Sequence, residues 1–190
     1  MSLEFKPFEG SDYRQSGVRL LVVGHSHWGA QPSPTLTQDT VTEWMNNEQN
    51  ISYFSKLARV LTGAEAGQVD RRASLKDIAF YNFYQSVMPE RSAQPTHEQF
   101  LLATSAFPLV LNLVDPTHVL VTGITLWNDM PGFDSTEPPK PVQVGRFYTV
   151  AGRYKTPSGY AIAVGIPHMA SYGFSPSNWS GFVNDFLTWS

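Results

Sequence analysis

The chain has 190 residues, of which 42% are hydrophobic and 15% are charged, a composition that is typical of one globular domain over residues 1–190 and excludes a disordered chain. Its formal net charge of −3, with 13 lysines and arginines, argues against tight non-specific binding to duplex DNA, because such binding depends on many contacts with phosphates. The absence of cysteine excludes disulfides, thiolate zinc sites and cysteine catalysis, and it predicts a cytoplasmic protein.

The first predicted element is a strand at residues 18–23, and it leads into the most informative segment of the chain. Its unbroken apolar run is typical of a strand buried on both faces of a parallel sheet. Gly24 ends this strand, and the loop from there to Gly29 holds side chains able to do chemistry: His25, Ser26, His27 and Trp28. Because open parallel sheets bind ligands beyond the carboxyl ends of their strands, we expect this loop to belong to a site.

Two helices and a second strand follow. The spacing of apolar residues predicts helices over residues 37–46 and 52–62, and Gly63 is a suitable end for the second helix. We expect residues 64–74 to form a polar connection. The apolar and aromatic run at residues 78–83 predicts a strand.

The next part of the chain alternates in the same way. A capping box of Thr96 and Gln99 predicts a helix that Pro108 kinks or divides. A third buried strand is predicted over residues 118–122, and Gly123 leads from it into a short helix.

The last third of the chain begins with a loop or flap at residues 131–145, which contain four prolines. Residues 147–154 and 160–164 are predicted to form a hairpin, and Ser175-Pro176 is a good start for a final amphipathic helix. Strands that alternate with helices predict an α/β fold, namely a three-layer α/β/α sandwich with a mainly parallel central sheet.

Polar side chains follow three of the predicted strands, in segments 24–29, 82–85 and 168–171. A parallel sheet would bring all three segments to the same edge. His25 and His27 alternate along the chain, so on extended backbone they point in opposite directions.

Two further residues at strand ends have both a structural and a functional interpretation. Asn82 either ties two loops together or reads the edge of a nucleobase, which presents a complementary donor and acceptor. His168 follows a proline and either hydrogen-bonds a nearby carbonyl or titrates in a site.

At these positions the chain resembles the uracil-DNA glycosylase superfamily. The family has a glycine-bounded loop after its first strand, commonly G-Q-D-P-Y-H-G or G-E-x-P-G, and residues 24–29 match it. The family's central-strand asparagine is matched by Asn82, and its late H-P-S loop by residues 168–171. Residues 116–127 are similar to the strand and following helix of the family.

The resemblance implies a pocket for a flipped base and cleavage of an N-glycosidic bond, without a cofactor. His168 would stabilise the departing base and Asn82 would select it. No Asp or Glu lies between Gly24 and Gly29, so the family's water-orienting carboxylate is missing, and the imidazole of His25 would serve as a base. The full set of candidates is catalytic His168, His25 and Ser26, with Gly24, His27, Trp28, Asn82, Phe83 and Ser171 binding the substrate.

Two other functions remain open. His25, His27 and His168, with an acidic residue such as Asp129, would suit a metal-dependent hydrolase. Alternatively, the domain binds bases without catalysis, since the carboxylate is missing. In the leading hypothesis the partner is a nucleobase, in single-stranded nucleic acid or a nucleoside. No membrane partner is expected, because the apolar runs are too short to span a bilayer.

Overall fold

The computed structural model describes residues 3–190 and shows an α/β fold, which confirms the predicted class. The strands in the described chain are β1 (Phe8–Glu9), β2 (Leu20–Gly24), β3 (His27–Trp28), β4 (Ile78–Asn82), β5 (Val87–Met88), β6 (His118–Thr122), β7 (Lys140–Val144), β8 (Phe147–Thr156) and β9 (Gly159–Ile166). The helices are α1 (Leu36–Met45), α2 (Ser52–Thr62), α3 (Arg71–Leu75), α4 (His97–Val114), α5 (Ile124–Asp129) and α6 (Pro176–Phe186), and a 3-10 turn spans Tyr13–Gln15.

Seven strands form one mixed sheet in the order β1-β4-β2-β6-β9-β8-β7, and β3 and β5 form a separate parallel pair. The strands β4, β2, β6 and β9 run parallel, whereas β1, β8 and β7 pair in the antiparallel direction. The predicted mainly parallel sheet is therefore restricted to the four central strands. The tight turn between β8 and β9 makes that pair antiparallel, and β7 extends it.

The central strands are buried on both faces. Every residue of β2, β4 and β6 is buried. Leu20 and Val22 belong to one core cluster with α1, α2 and α6, whereas Leu21 and Val23 belong to a second cluster with α4 and α5. The alternation of side chains along a strand divides the apolar run between these two cores.

Several local signals act as predicted. The Thr96 hydroxyl accepts from the Gln99 N–H at 3.2 Å, and the Gln99 side chain accepts from the Thr96 N–H at 2.8 Å. Gly63 ends α2 in the left-handed conformation, with φ at 70°. Pro176 is the first residue of α6, as predicted, although the Ser175 hydroxyl does not cap that helix.

Other expectations need correction. Of the two outcomes predicted for Pro108, division of the helix does not occur, because α4 continues through this residue. The predicted loop at 131–145 contains β7, because its backbone pairs with β8, a neighbour that the local sequence does not reveal. The predicted connection at 64–74 contains the start of α3, which the Asp70 side chain caps by accepting from the Ala73 N–H at 3.0 Å.

The amino edge of the central strands is tied together by one carboxylate. Asp115 ends α4 in the left-handed conformation, with φ at 50°. Its side chain accepts from Arg19 Nη2 at 3.1 Å, and from the N–H and hydroxyl of Ser158 at 2.9 and 2.6 Å. These bonds join α4, the start of β2 and the β8–β9 turn.

Among residues 3–190, no helix has the length and hydropathy that crossing a bilayer requires.

Candidate functional site

The carboxyl ends of four parallel strands meet at one edge of the sheet, and the principal candidates lie there. Gly24 at the end of β2 is in register with Asn82 at the end of β4. Thr122 at the end of β6 is in register with Ile166 at the end of β9, two residues before His168. The three segments that the sequence placed at one edge are therefore neighbours in the fold.

The Asn82 carboxamide is the most unusual polar group at this edge. The residue is only 6% exposed. Gln85 donates to the backbone carbonyl of Asn82 at 3.0 Å, but the carboxamide itself makes no hydrogen bond with any residue from 3 to 190. Among the described residues, the fully buried side-chain polar atoms without a partner are the hydroxyls of Thr104 and Thr149. The amide atoms of Asn82 therefore keep some contact with the outside of the protein, where a ligand or water can reach them.

Gly24 permits the close packing of this carboxamide. A Cβ atom at Gly24 would lie 2.5 Å from Asn82 Oδ1 and 2.9 Å from Phe80 Cζ. Every residue other than glycine would therefore displace the carboxamide or the ring. At this point the backbone of Gly24 lies directly against the side chains of Asn82 and Phe80.

The His168 ring is held in one tautomer. The Ala170 N–H donates to His168 Nδ1 at 3.0 Å, so Nδ1 carries a lone pair and the neutral ring carries its proton on Nε2. Burial lowers the pKa of His168, and the charges of His25 and Lys56 lower it further. Within the described chain Nε2 has no hydrogen-bond partner, so it is an available donor.

Residues that the sequence analysis did not select surround His168. The Tyr53 ring lies 5.8 Å from the His168 ring, and its hydroxyl contacts the Thr122 hydroxyl at 2.7 Å. Lys56 donates to the Met169 carbonyl at 2.7 Å. Both Tyr53 and Lys56 come from α2, and their positions in the sequence gave no signal of a site.

His25 belongs to a polar cluster with residues from other elements. Its Nδ1 lies 2.9 Å from the Ser26 hydroxyl, and its ring lies 4.8 Å from the Tyr84 ring. The Tyr84 hydroxyl donates to Asp129 Oδ2 at 2.9 Å. Burial lowers the pKa of His25, and the Asp129 carboxylate opposes this effect. His25 and Ser26 thus lie in the site, and Asp129 brings a carboxylate to it.

His27 does not lie in the site, contrary to the expectation that it binds substrate. Its Nε2 hydrogen-bonds the Thr37 hydroxyl at 2.8 Å, and its ring packs edge-on against Phe5 at 5.4 Å. Burial lowers the pKa of His27 to about 4. The strand pairing of β3 turns this side chain into the interior, where it has a structural role.

Phe83, which was expected to bind the substrate, is fully buried and packs against Phe107 and Tyr84. Trp28 is 48% exposed, and the Arg91 guanidinium lies 4.2 Å from the centre of its ring. Ser171 is exposed and donates its N–H to the His168 carbonyl at 2.8 Å. Trp28 and Ser171 are therefore accessible to a ligand, whereas Phe83 is not.

The proposed trio of metal ligands is not assembled. His27 is engaged with Thr37, as described above. Across residues 3–190 no three His, Cys, Asp or Glu side chains are grouped so that they could hold a metal ion. The arrangement of donors therefore does not favour the metal-dependent hydrolase.

Comparison of the chain with models of known protein families finds no match. No curated protein matches it either.

Proposed function

We propose that this protein binds a nucleobase at the carboxyl edge of its sheet and hydrolyses the N-glycosidic bond to the sugar, in single-stranded nucleic acid or a small nucleoside. The observation that carries the proposal is the position of Asn82 at this edge: the residue is 6% exposed, and its carboxamide has no hydrogen bond within residues 3–190 but can still be reached from outside. A base edge with an adjacent donor and acceptor would satisfy both of its groups. The resemblance to uracil-DNA glycosylases supports uracil as the first base to test.

His168 has the properties required to stabilise the departing base. When the bond between sugar and base breaks, the electron pair leaves with the base, and negative charge develops on it. The Nε2–H of neutral His168 would donate to that charge. A donor fixed in advance by the Ala170 N–H does not need to reorganise during the reaction, which is the main source of such stabilisation.

An aromatic ring would contact the base. Tyr53 is partly buried, and its ring lies 5.8 Å from the His168 ring. In the proposal this ring replaces Phe83 as the aromatic surface of the site. A base removed from its stack is bound in part by contact with such a ring.

The test is release of uracil from a uracil-containing single strand at pH 7, measured in single turnover. Loss of one fixed donor lowers such rates by about 100- to 1,000-fold, so His168→Ala should show a loss of that size while remaining folded. His97→Ala, which changes an exposed histidine on α4, is the matched control and should release uracil at the wild-type rate. Absence of release by the wild-type protein, or an unchanged rate in His168→Ala, would refute catalysis.

A second candidate function is a binding module without catalysis. The observation that favours it is the lack of any carboxylate from Gly24 to Gly29. Calorimetry with free uracil separates the two functions. Binding that Asn82→Ala abolishes, together with no release from any uracil-containing strand, would establish the module and exclude the hydrolase.

A further inference from the structure

We infer that Asp129 supplies, through His25, the carboxylate that the first loop lacks, and that Tyr84 holds it in place. The inference rests on the proposed function and assigns its water-activating group. His25 would accept the proton of the attacking water, and Asp129 would be a positioning residue that acts through it.

The geometry joins three elements that are distant in the sequence. His25 follows β2, Tyr84 lies two residues after β4, and Asp129 is the last residue of α5. The Tyr84 hydroxyl donates to Asp129 Oδ2 at 2.9 Å, while the Tyr84 ring packs at 4.8 Å from the His25 ring. The tyrosine therefore contacts both the imidazole of His25 and the carboxylate of Asp129.

The position of Asp129 depends on how α5 packs against β9. A Cβ atom at Gly165 would lie 2.3 Å from Cγ of Trp127, so glycine allows this helix to approach β9 closely. Trp127 is two residues before Asp129. The carboxylate is therefore carried by a helix that is pressed against the sheet.

The groups that surround His25 come from several elements of the fold. Burial lowers its pKa, and Asp129 acts in the opposite direction. Tyr84 stays protonated, because burial and its bond to Asp129 raise its pKa. The charge of His25 also lowers the pKa of His168. Ser26 contacts Nδ1, and Nε2 has no hydrogen-bond partner among residues 3–190, so it is open to water.

In the inferred step the oxygen of water bonds to the anomeric carbon of the sugar, and one proton of the water passes to His25. The bond between sugar and base breaks, and its electron pair leaves on the base, which His168 stabilises. The proton on His25 then returns to the base through solvent. Asp129 stabilises the imidazolium that exists between these two transfers.

The test is the variant Asp129→Asn, which keeps an acceptor for Tyr84 and removes the charge. Histidine titration by NMR, with the His25 signals assigned from His25→Gln, should show a lower pKa for His25, because an anion no longer stabilises the imidazolium. The acidic limb of the pH profile for uracil release should move to lower pH by the same amount. The maximal rate should fall about tenfold or more, since general-base catalysis contributes about 100-fold or more.

The matched control is Asp134→Asn. Asp134 also accepts a hydrogen bond, from the Lys155 N–H at 2.9 Å, but it lies in the loop before β7 and should change neither measurement. Tyr84→Phe should shift the pH profile in the same direction as Asp129→Asn. An active wild-type enzyme whose rate and pH profile survive Asp129→Asn would overturn this inference alone. A wild-type protein that releases no base would overturn the proposed function, whatever the NMR titration shows.

Discussion

Replacement of Gly24 by alanine tests whether the site lies where β2 meets Asn82. The new methyl group would lie 2.5 Å from Asn82 Oδ1 and 2.9 Å from Phe80 Cζ, whereas ordinary contacts begin at 3.4 Å. The carboxamide must therefore move by about 0.9 Å and the ring by about 0.5 Å. Such overpacking of a buried site costs about 1–3 kcal/mol.

This cost should be visible in two measurements. For a chain of this size, 1 kcal/mol changes Tm by about 2–4 °C, so a cost of about 2 kcal/mol would lower Tm by about 4–8 °C. Binding of free uracil, measured by calorimetry below the unfolding transition, should be lost because the carboxamide is displaced. Both effects arise from the same added methyl group.

The matched control is Gly17→Ala, since nothing lies within 4 Å of a Cβ atom at that position. Its free energy of unfolding should stay within about 0.5 kcal/mol of the wild type. In the double variant Gly24→Ala with Asn82→Ala, the destabilisation should be smaller than the two single effects added together, because one obstacle to the methyl group is gone. A Gly24→Ala protein with wild-type stability and wild-type uracil binding would refute the reasoning about this edge.

Two further predictions concern residues beside the site. The pKa of His27 is about 4 when folded and 6.5 in its ordinary state. As pH falls below 6.5, His27 becomes protonated in the unfolded chain but stays neutral in the folded chain. The free energy of unfolding should therefore fall, by about 2 kcal/mol at pH 5. Urea unfolding at pH 7 and pH 5 should show a smaller loss in His27→Gln, and an equal loss in both proteins would contradict this origin. Trp28→Ala should weaken binding of a single-stranded oligonucleotide, measured by fluorescence anisotropy, by about 5- to 150-fold, because stacking contributes about 1–3 kcal/mol per base. Free uracil should bind as before, and unchanged oligonucleotide affinity would exclude Trp28 from the interface.

The central strands could be predicted because their signals are local. An unbroken apolar run specifies β2 whatever it packs against, and the Thr96–Gln99 box specifies the start of α4 from four consecutive residues. The strand β7 could not be predicted, because its residues are strand-forming only beside β8. The short pair β3 and β5 has too few residues to give a periodic pattern.

The site could be predicted only as far as strand ends determine it. His25, Asn82 and His168 were identified because each follows an apolar run, and the sheet brings those ends together. The role of Asp129 depends on how closely α5 approaches β9, which is a packing property that no spacing in the sequence reveals. Phe83 was misjudged because it follows Asn82 by one residue, and that step turns its side chain to the opposite face of the sheet, against α4.

The carboxylate of Asp115 has a consequence for how this molecule moves. It fastens a helix end, a strand start and a hairpin turn at the rim farthest from His168. The strands can therefore stay aligned at this rim even when loops at the carboxyl rim change position. Under the proposed function, a ligand would enter and leave at one end of the sheet, and the strands would be held in place at the other end.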